Sequence, residues 1–251
     1  MIRVDPRFCG PPGTGNGGYV SGRLASFVRS TAASPAATWS GAVEVTLRAP
    51  TPLDIDLPLT VADGAAALHT REGTLLAEAV CVPTVAPFKP VPISFEEARE
   101  ASTRFIGFQH HPYPGCFVCG FERAGGLSPG LALHPGAIAA TSTPPVVAAP
   151  FRPPADLCDA EGLLEPEFVW SALDCPSWFG HAAFQERPRV ILLGRLAVQI
   201  LRRPHADEPC VVSGFGLGQA GRRILCGSAL YGNDQAVIAY SRSTWIELKT
   251  G

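Results

Sequence analysis

The sequence predicts an α+β protein in which one long helix, followed by antiparallel strands, occurs twice. Two apolar helix candidates support this prediction, at residues 16–32 and 168–184, one in each half of the 251-residue chain. Strand-like segments follow each helix without long crossovers, which favours antiparallel pairing. We therefore expect two units, residues 1–114 and 115–251, each with a central helix wrapped by an antiparallel sheet.

The composition indicates a compact globular protein without a basic surface. Hydrophobic residues make up 46% of the chain, charged residues make up 17%, and the formal net charge is -2. The lack of a basic stripe argues against a nucleic-acid partner. The N-terminus has no apolar signal region, and no apolar run reaches the roughly 20 residues of a membrane span. We expect a cytoplasmic protein with reduced cysteines.

The first half contains one glycine-rich helix and several strand signals. Glycines in the 16–32 segment lower its helix propensity by up to ~1 kcal/mol each, so this helix requires a sheet packed around it. Alternation over residues 43–48 predicts a half-buried strand, and residues 65–82 predict a hairpin around a glycine turn. The proline-rich stretch 83–114 is interpreted as a linker, with a possible short helix at residues 94–102.

The second half contains the clearest strand pattern of the chain. A strand is predicted at residues 131–141, and Pro176 is expected to kink or end the second helix. Four more strands follow, with good hairpin turns at residues 220–221 and 232–234. They are predicted at residues 189–201, 208–219, 222–231 and 235–248.

Asp174 is the first candidate for a catalytic group. It follows Leu173 in an apolar helix, where a carboxylate is costly unless it is paired or functional. If Asp174 is buried, its pKa rises, and it could serve as a general base or nucleophile. The alternative is an exposed residue at a helix bend, or one that caps the segment after Pro176.

The glycines before the first helix are a candidate binding site. Residues 13–18 match G-x-G-x-x-G, but prolines precede them where a dinucleotide site needs a strand, so that function has little support. Glycines at a helix N-terminus leave free backbone amides that could instead stabilise an oxyanion. A tight turn that requires glycine for steric reasons is an equal alternative.

Cys116 and Cys119 form an isolated C-x-x-C motif. Zinc needs about four ligands, and the histidines nearby have no standard spacing for a zinc site. We therefore expect no metal here, and two buried, unreactive thiols with raised pKa values. A redox pair is an open alternative, although no thioredoxin-like pattern surrounds the motif.

Three segments resemble the hotdog-fold thioesterase-like superfamily, especially its double-hotdog acyl-CoA thioesterases. They are Phe8–Pro12 leading to Asn16-Gly17-Gly18-Tyr19, Cys116–Gly120 followed by Gly126-Leu127, and Leu173-Asp174. The second segment is similar to the opening of single hotdog proteins, so its position in the middle of the chain implies that a second unit begins there.

The resemblance implies hydrolysis of an acyl-CoA or acyl-carrier thioester between the two units. Asp174 becomes the candidate base or nucleophile, Gly17 and Gly18 the oxyanion donors, and Asn16 and Tyr19 substrate-binding neighbours. Ser243, which stands where such enzymes often have glutamine, is the second catalytic candidate. Asn16 stands where they often have histidine. A non-catalytic protein that binds an acyl chain or a CoA-like ligand is therefore the alternative. No metal or cofactor is expected, and exposed edge strands make a homodimer plausible.

Overall fold

An antiparallel sheet of ten strands runs through the computed structural model, which describes residues 1–31, 41–62, 64–85, 92–123, 129–138, 144–186 and 190–248. The strands occur across the sheet in the order β2-β3-β4-β1-β7-β10-β9-β8-β6-β5. Their bounds are β1 (Ala42–Leu47), β2 (Leu59–Ala62), β3 (Ala65–His69), β4 (Leu75–Val82), β5 (Gly136–Ala137), β6 (Val146–Phe151), β7 (Ile191–Ile200), β8 (Cys210–Ala220), β9 (Arg223–Tyr231) and β10 (Val237–Glu247).

Four α-helices in the described residues pack on this sheet: α1 (Gly17–Thr31), α2 (Phe95–Ser102), α3 (Pro166–Ala172) and α4 (Cys175–Ala182). Helix α1 packs on β1 to β4, and α4 packs mainly on β8, β9 and β6. Helix α2 begins with a capping box formed by Ser94 and Glu97, and it packs on β5 and β6. Each end of the sheet therefore has its own helical cover.

The two parts of the sheet meet at the antiparallel pair of β1 and β7. In this pair Val43 lies opposite Val198, and Val45 lies opposite Leu196. All four of these side chains are buried, and one continuous hydrophobic core extends across the junction. Strands from residues 42–82 lie on one side of the junction, and strands from residues 136–247 lie on the other.

Helices α1 and α3 approach each other closely through two glycines of α1. A Cβ atom on Gly18 would lie 2.9 Å from the Ser171 Cα, and one on Gly22 would lie 2.5 Å from the Glu167 Cα. Real Cβ atoms do not approach backbone this closely. The glycines that weaken α1 as an isolated helix are thus the residues that allow it to contact α3.

The structure confirms most of the predicted elements, corrects one and adds two. The interruption predicted for the second helix near Pro176 is confirmed, because the chain breaks at Leu173 and Asp174 and leaves two helices. The predicted strand at 131–141 is wrong over most of its described length, where only Gly136–Ala137 pair. Strands β2 and β6 were not predicted.

Candidate active site

Asp174 lies at the junction between α3 and α4. Its backbone, with φ -76° and ψ -86°, leaves the helical conformation and makes it the N-cap of α4. Pro176 is tolerated at the second position of α4, because the first-turn amides of a helix have no intrahelical acceptor. Carbonyls freed by the break accept hydrogen bonds from serines: the Ser177 Oγ donates to Asp174 O, and the Ser228 Oγ donates to Leu173 O.

The two oxygens of the Asp174 carboxyl group have different surroundings in the described part of the chain. Its Oδ2 accepts hydrogen bonds from the Gly18 N–H at 2.9 Å and from the Asn16 Nδ2 at 3.0 Å. Its Oδ1 is buried and has no hydrogen-bond partner among the residues that the structure describes. Burial raises the pKa of the Asp174 carboxyl to about 7, and the hydrogen bond from Gly18 opposes this rise. A carboxyl group whose pKa lies near 7 can accept a proton at neutral pH.

Asn16 joins the N-terminus of α1 to Asp174. Its Oδ1 accepts a hydrogen bond from the Tyr19 N–H at 2.9 Å, so Asn16 is the N-cap of α1. Its Nδ2 donates to Asp174, and the side chain is almost fully buried. The first-turn amides of Gly18 and Tyr19 are thus engaged within the protein, whereas the Gly17 N–H has no acceptor among the described residues.

The structure places the two remaining predicted site residues, Tyr19 and Ser243, in the protein interior. The Tyr19 ring is buried and stacks on Phe8, with ring centroids 4.2 Å apart. The Ser243 hydroxyl is also buried, 2.8 Å from the Ser177 Oγ and 3.1 Å from the Trp245 Nε1. Ser243 is connected to Asp174 through Ser177, whose Oγ donates to the Asp174 backbone carbonyl. A cavity lies beside Asp174, and neither Ser243 nor Tyr19 is among the residues that line it.

This cavity has a volume of about 440 Å³, within the usual range for small-molecule sites. Asp174, Asn16 and Gly17 lie in its wall, and the other lining residues are mostly apolar. Large apolar side chains in the wall come from both parts of the sheet and from α4: Leu47, Trp178, Phe179, Leu193 and Trp245. The cavity therefore combines an apolar wall with a carboxyl group that has one unpartnered oxygen.

Three cysteine thiols also line this cavity. The Sγ atoms of Cys116, Cys119 and Cys175 lie within 4.8 Å of one another, and all three residues are buried. Hydrogen bonds from Cys119 and Cys175 hold the pKa of the Cys116 thiol well below its usual value, whereas burial raises the pKa of Cys119. The prediction of a raised pKa is therefore wrong for Cys116 and confirmed for Cys119.

Cys175 was missed in the sequence because it lies 59 positions from Cys116. Its position directly after Asp174 is the sequence feature that could have indicated a place in the site. The Gly126-Leu127 part of the sequence resemblance lies outside the described residues. Among the described residues, no helix has the length and hydrophobicity of a membrane span.

Solved structures similar to this chain include a protein described as having the hotdog fold. A TesB protein from Mycobacterium avium subsp. paratuberculosis aligns with a TM-score of 0.64 and 14% identity, over 98% of this chain and 91% of that chain. A candidate thioesterase from Novosphingobium aromaticivorans aligns with a TM-score of 0.62 and 14% identity, over 99% and 94%. A hotdog-fold protein of unknown function from Alicyclobacillus acidocaldarius aligns with a TM-score of 0.54 and 12% identity, over 99% and 92%.

These alignments extend over nearly the whole chain and confirm the predicted resemblance at the level of the fold. No protein-family model and no curated protein matches the sequence. The chain is therefore a hotdog-fold protein, similar in structure to a protein described as a candidate thioesterase.

Proposed function

We propose that this protein hydrolyses the thioester of an acyl-CoA or acyl-carrier substrate, with Asp174 as the general base or nucleophile. The observation that carries the proposal is the buried Asp174 Oδ1, which has no hydrogen-bond partner in the described part of the chain. The carboxyl group to which it belongs lines an apolar cavity. A polar atom in such a position is costly unless a ligand or water engages it. The same atom could take a proton from water or attack the thioester carbonyl.

The proposed architecture is a double hotdog, in which residues 1–114 form the first unit and residues 115–251 form the second. The junction of β1 and β7 supports this division, since it separates the strands of the two units. The residues around the carboxyl come from both units: Asn16, Gly17 and Gly18 from the first, and Asp174 from the second. A site between the units follows from this arrangement.

The oxyanion donor in the proposal is the Gly17 N–H alone. The amide of Gly18 already donates to the Asp174 Oδ2, so its role is to orient the carboxyl group. The Gly17 amide lies at the positive end of the α1 dipole and has no acceptor among the described residues. A carbonyl oxygen that gains negative charge would be stabilised there.

A binding protein without catalysis is the second candidate function. It is favoured by the position of Ser243, which is not among the cavity-lining residues and so supplies no second polar group beside Asp174. Against it, Asp174 opens onto the cavity, and no cation among the described residues pairs with it. The apolar wall suits an apolar acyl group in both cases.

Thiol release from a panel of acyl-CoA substrates tests the proposal. We expect Asp174→Asn to lower kcat/KM by roughly 10²- to 10⁴-fold, the usual contribution of a general acid or base. Asp54→Asn is a matched control, because Asp54 is exposed and has a positive φ that asparagine also tolerates. No thiol release above background, or full turnover by Asp174→Asn, would contradict hydrolysis by this site.

A further inference from the structure

We propose that Cys116, Cys119 and Cys175 bind one zinc ion, with the fourth coordination position supplied by water from the cavity. In the sequence, only Cys116 and Cys119 are close together, and the nearby histidines have no standard spacing for a zinc site. The fold adds Cys175 as a third, at the start of α4. This inference does not depend on thioester hydrolysis.

The spacing of the thiols fits tetrahedral coordination. With a Zn–S distance of about 2.3 Å, two sulfurs of a tetrahedral site lie roughly 3.8 Å apart. The Sγ atoms of Cys116 and Cys175 are 3.8 Å apart, and those of all three cysteines lie within 4.8 Å. This separation is far longer than the S–S bond of a disulfide, which is about 2.05 Å. A zinc ion could therefore enter with only small shifts of the thiols.

The backbone around Cys116 supports a metal-bound thiolate. The Val118 N–H donates to the Cys116 Sγ at 3.4 Å, and the Cys119 N–H also donates to this sulfur. Hydrogen bonds of this kind stabilise the negative charge of a ligating sulfur. The turn then requires glycine at position 120, because a Cβ there would lie 2.4 Å from Pro114 O and 2.5 Å from Cys116 O.

Asn16 supplies a further donor to the same sulfur. Its Nδ2, which bonds to Asp174, lies 3.8 Å from the Cys116 Sγ. The cluster is thus joined by hydrogen bonds to the groups around Asp174, although no fourth protein ligand among the described residues joins it. Sites with three protein ligands and one exchangeable position are typical of zinc with a bound water. Because all three cysteines line the cavity, this position is open to water.

Metal analysis of the full chain tests the inference. We expect about one equivalent of zinc per chain after purification under reducing conditions, since three thiolates and one water form a tetrahedral shell. Replacement by Co²⁺ should give the near-ultraviolet thiolate-to-cobalt absorption and the strong visible bands of a tetrahedral site. Cys119→Ser and Cys175→Ser should each weaken or abolish these bands.

Cys226→Ser is the matched control. Cys226 is a buried free cysteine of β9 outside the cluster, so its replacement should leave the cobalt spectrum unchanged. Asp174→Asn should also keep the metal, which separates metal binding from hydrolysis. Absence of both zinc and Co²⁺ binding in the folded wild-type protein would overturn the inference. So would an unchanged cobalt spectrum in folded Cys119→Ser and Cys175→Ser.

Discussion

The Asn16 Nδ2 lies 3.0 Å from the Asp174 Oδ2, across a sequence separation of 158 positions. This hydrogen bond joins the N-cap of α1 to the N-cap of α4. The same asparagine therefore fixes the start of one helix and the orientation of the carboxyl group that begins the other. Substitutions at Asn16 should affect helix stability and catalysis by separate routes.

Asn16→Asp and Asn16→Ala are expected to separate these two roles. Aspartate is as good an N-cap as asparagine, but it would place a second carboxyl beside Asp174 and disfavour the ionised form of both. Alanine removes the cap, at a cost of about 1 kcal/mol, yet leaves Asp174 with its bond from Gly18. We expect the aspartate variant to be the less active of the two, and also the less stable above neutral pH, where a second buried carboxyl must ionise. Thermal unfolding with acyl-CoA kinetics checks this, and a more active aspartate variant would contradict it.

Gly18→Ala should lower the stability of the protein, whereas Gly17→Ala should mainly change substrate binding. A Cβ at Gly18 would meet Ser171 Cα, Trp170 O and Asp174 Cβ, none of which moves easily. We expect this variant to lose at least about 1–3 kcal/mol. A Cβ at Gly17 would meet the side-chain ends of Leu193 and Leu47, which line the cavity.

Gly17→Ala should therefore change KM with little change in the free energy of unfolding. Alanine's better helix propensity, worth about 1 kcal/mol, offsets part of the crowding. Denaturant titration and steady-state kinetics of both variants distinguish the two effects. Equal stability losses in both would show that the contact of α1 with α3 is not as close as described.

Ser243→Ala should act on stability and leave turnover nearly unchanged. The Ser177 Oγ would still donate to Asp174 O and accept from the Trp245 Nε1, so about 1 kcal/mol is the expected loss. Chemical denaturation measures this loss, and thiol release measures turnover. A large fall in kcat at unchanged stability would instead place Ser243 beside the reacting atoms.

Asp174→Asn should be more stable than the wild type while it loses activity. The wild-type carboxyl is buried with one oxygen unpartnered, and a neutral amide avoids the cost of a buried charge. For a chain of this size, each kcal/mol gained raises Tm by roughly 2–4 °C. Calorimetry above neutral pH checks this expectation, and a clear fall in Tm would indicate a structural role for the carboxylate.

The sequence predicted those elements whose residues alternate in hydrophobicity or are bounded by turn residues or proline. Strands β7 to β10 alternate or are separated by good turn residues, and Pro176 correctly indicated the interruption of the second helix. Strand β6 was missed because prolines precede it at positions 144 and 145 and a third lies within it at position 150. It is buried on both faces, so it shows no alternation.

The candidate site was predictable only where a single residue type was anomalous. Asp174 stood out because a carboxylate in an apolar segment needs an explanation, and the glycines of α1 stood out because they weaken a helix. The third thiol, Cys175, carries no such anomaly and meets Cys116 only through the tertiary fold. The bond from Gly18 to Asp174 likewise depends on how α1 meets the break between α3 and α4.

The pairing of β1 with β7 has a consequence for the order of events in folding. Contacts between residues so distant in sequence form slowly, because a long loop must close before they contribute. The carboxyl group and the amides that orient it come from opposite sides of this junction. A refolding chain would therefore recover helices and local hairpins first and its site geometry last, so that regain of function reports the docking of the two halves.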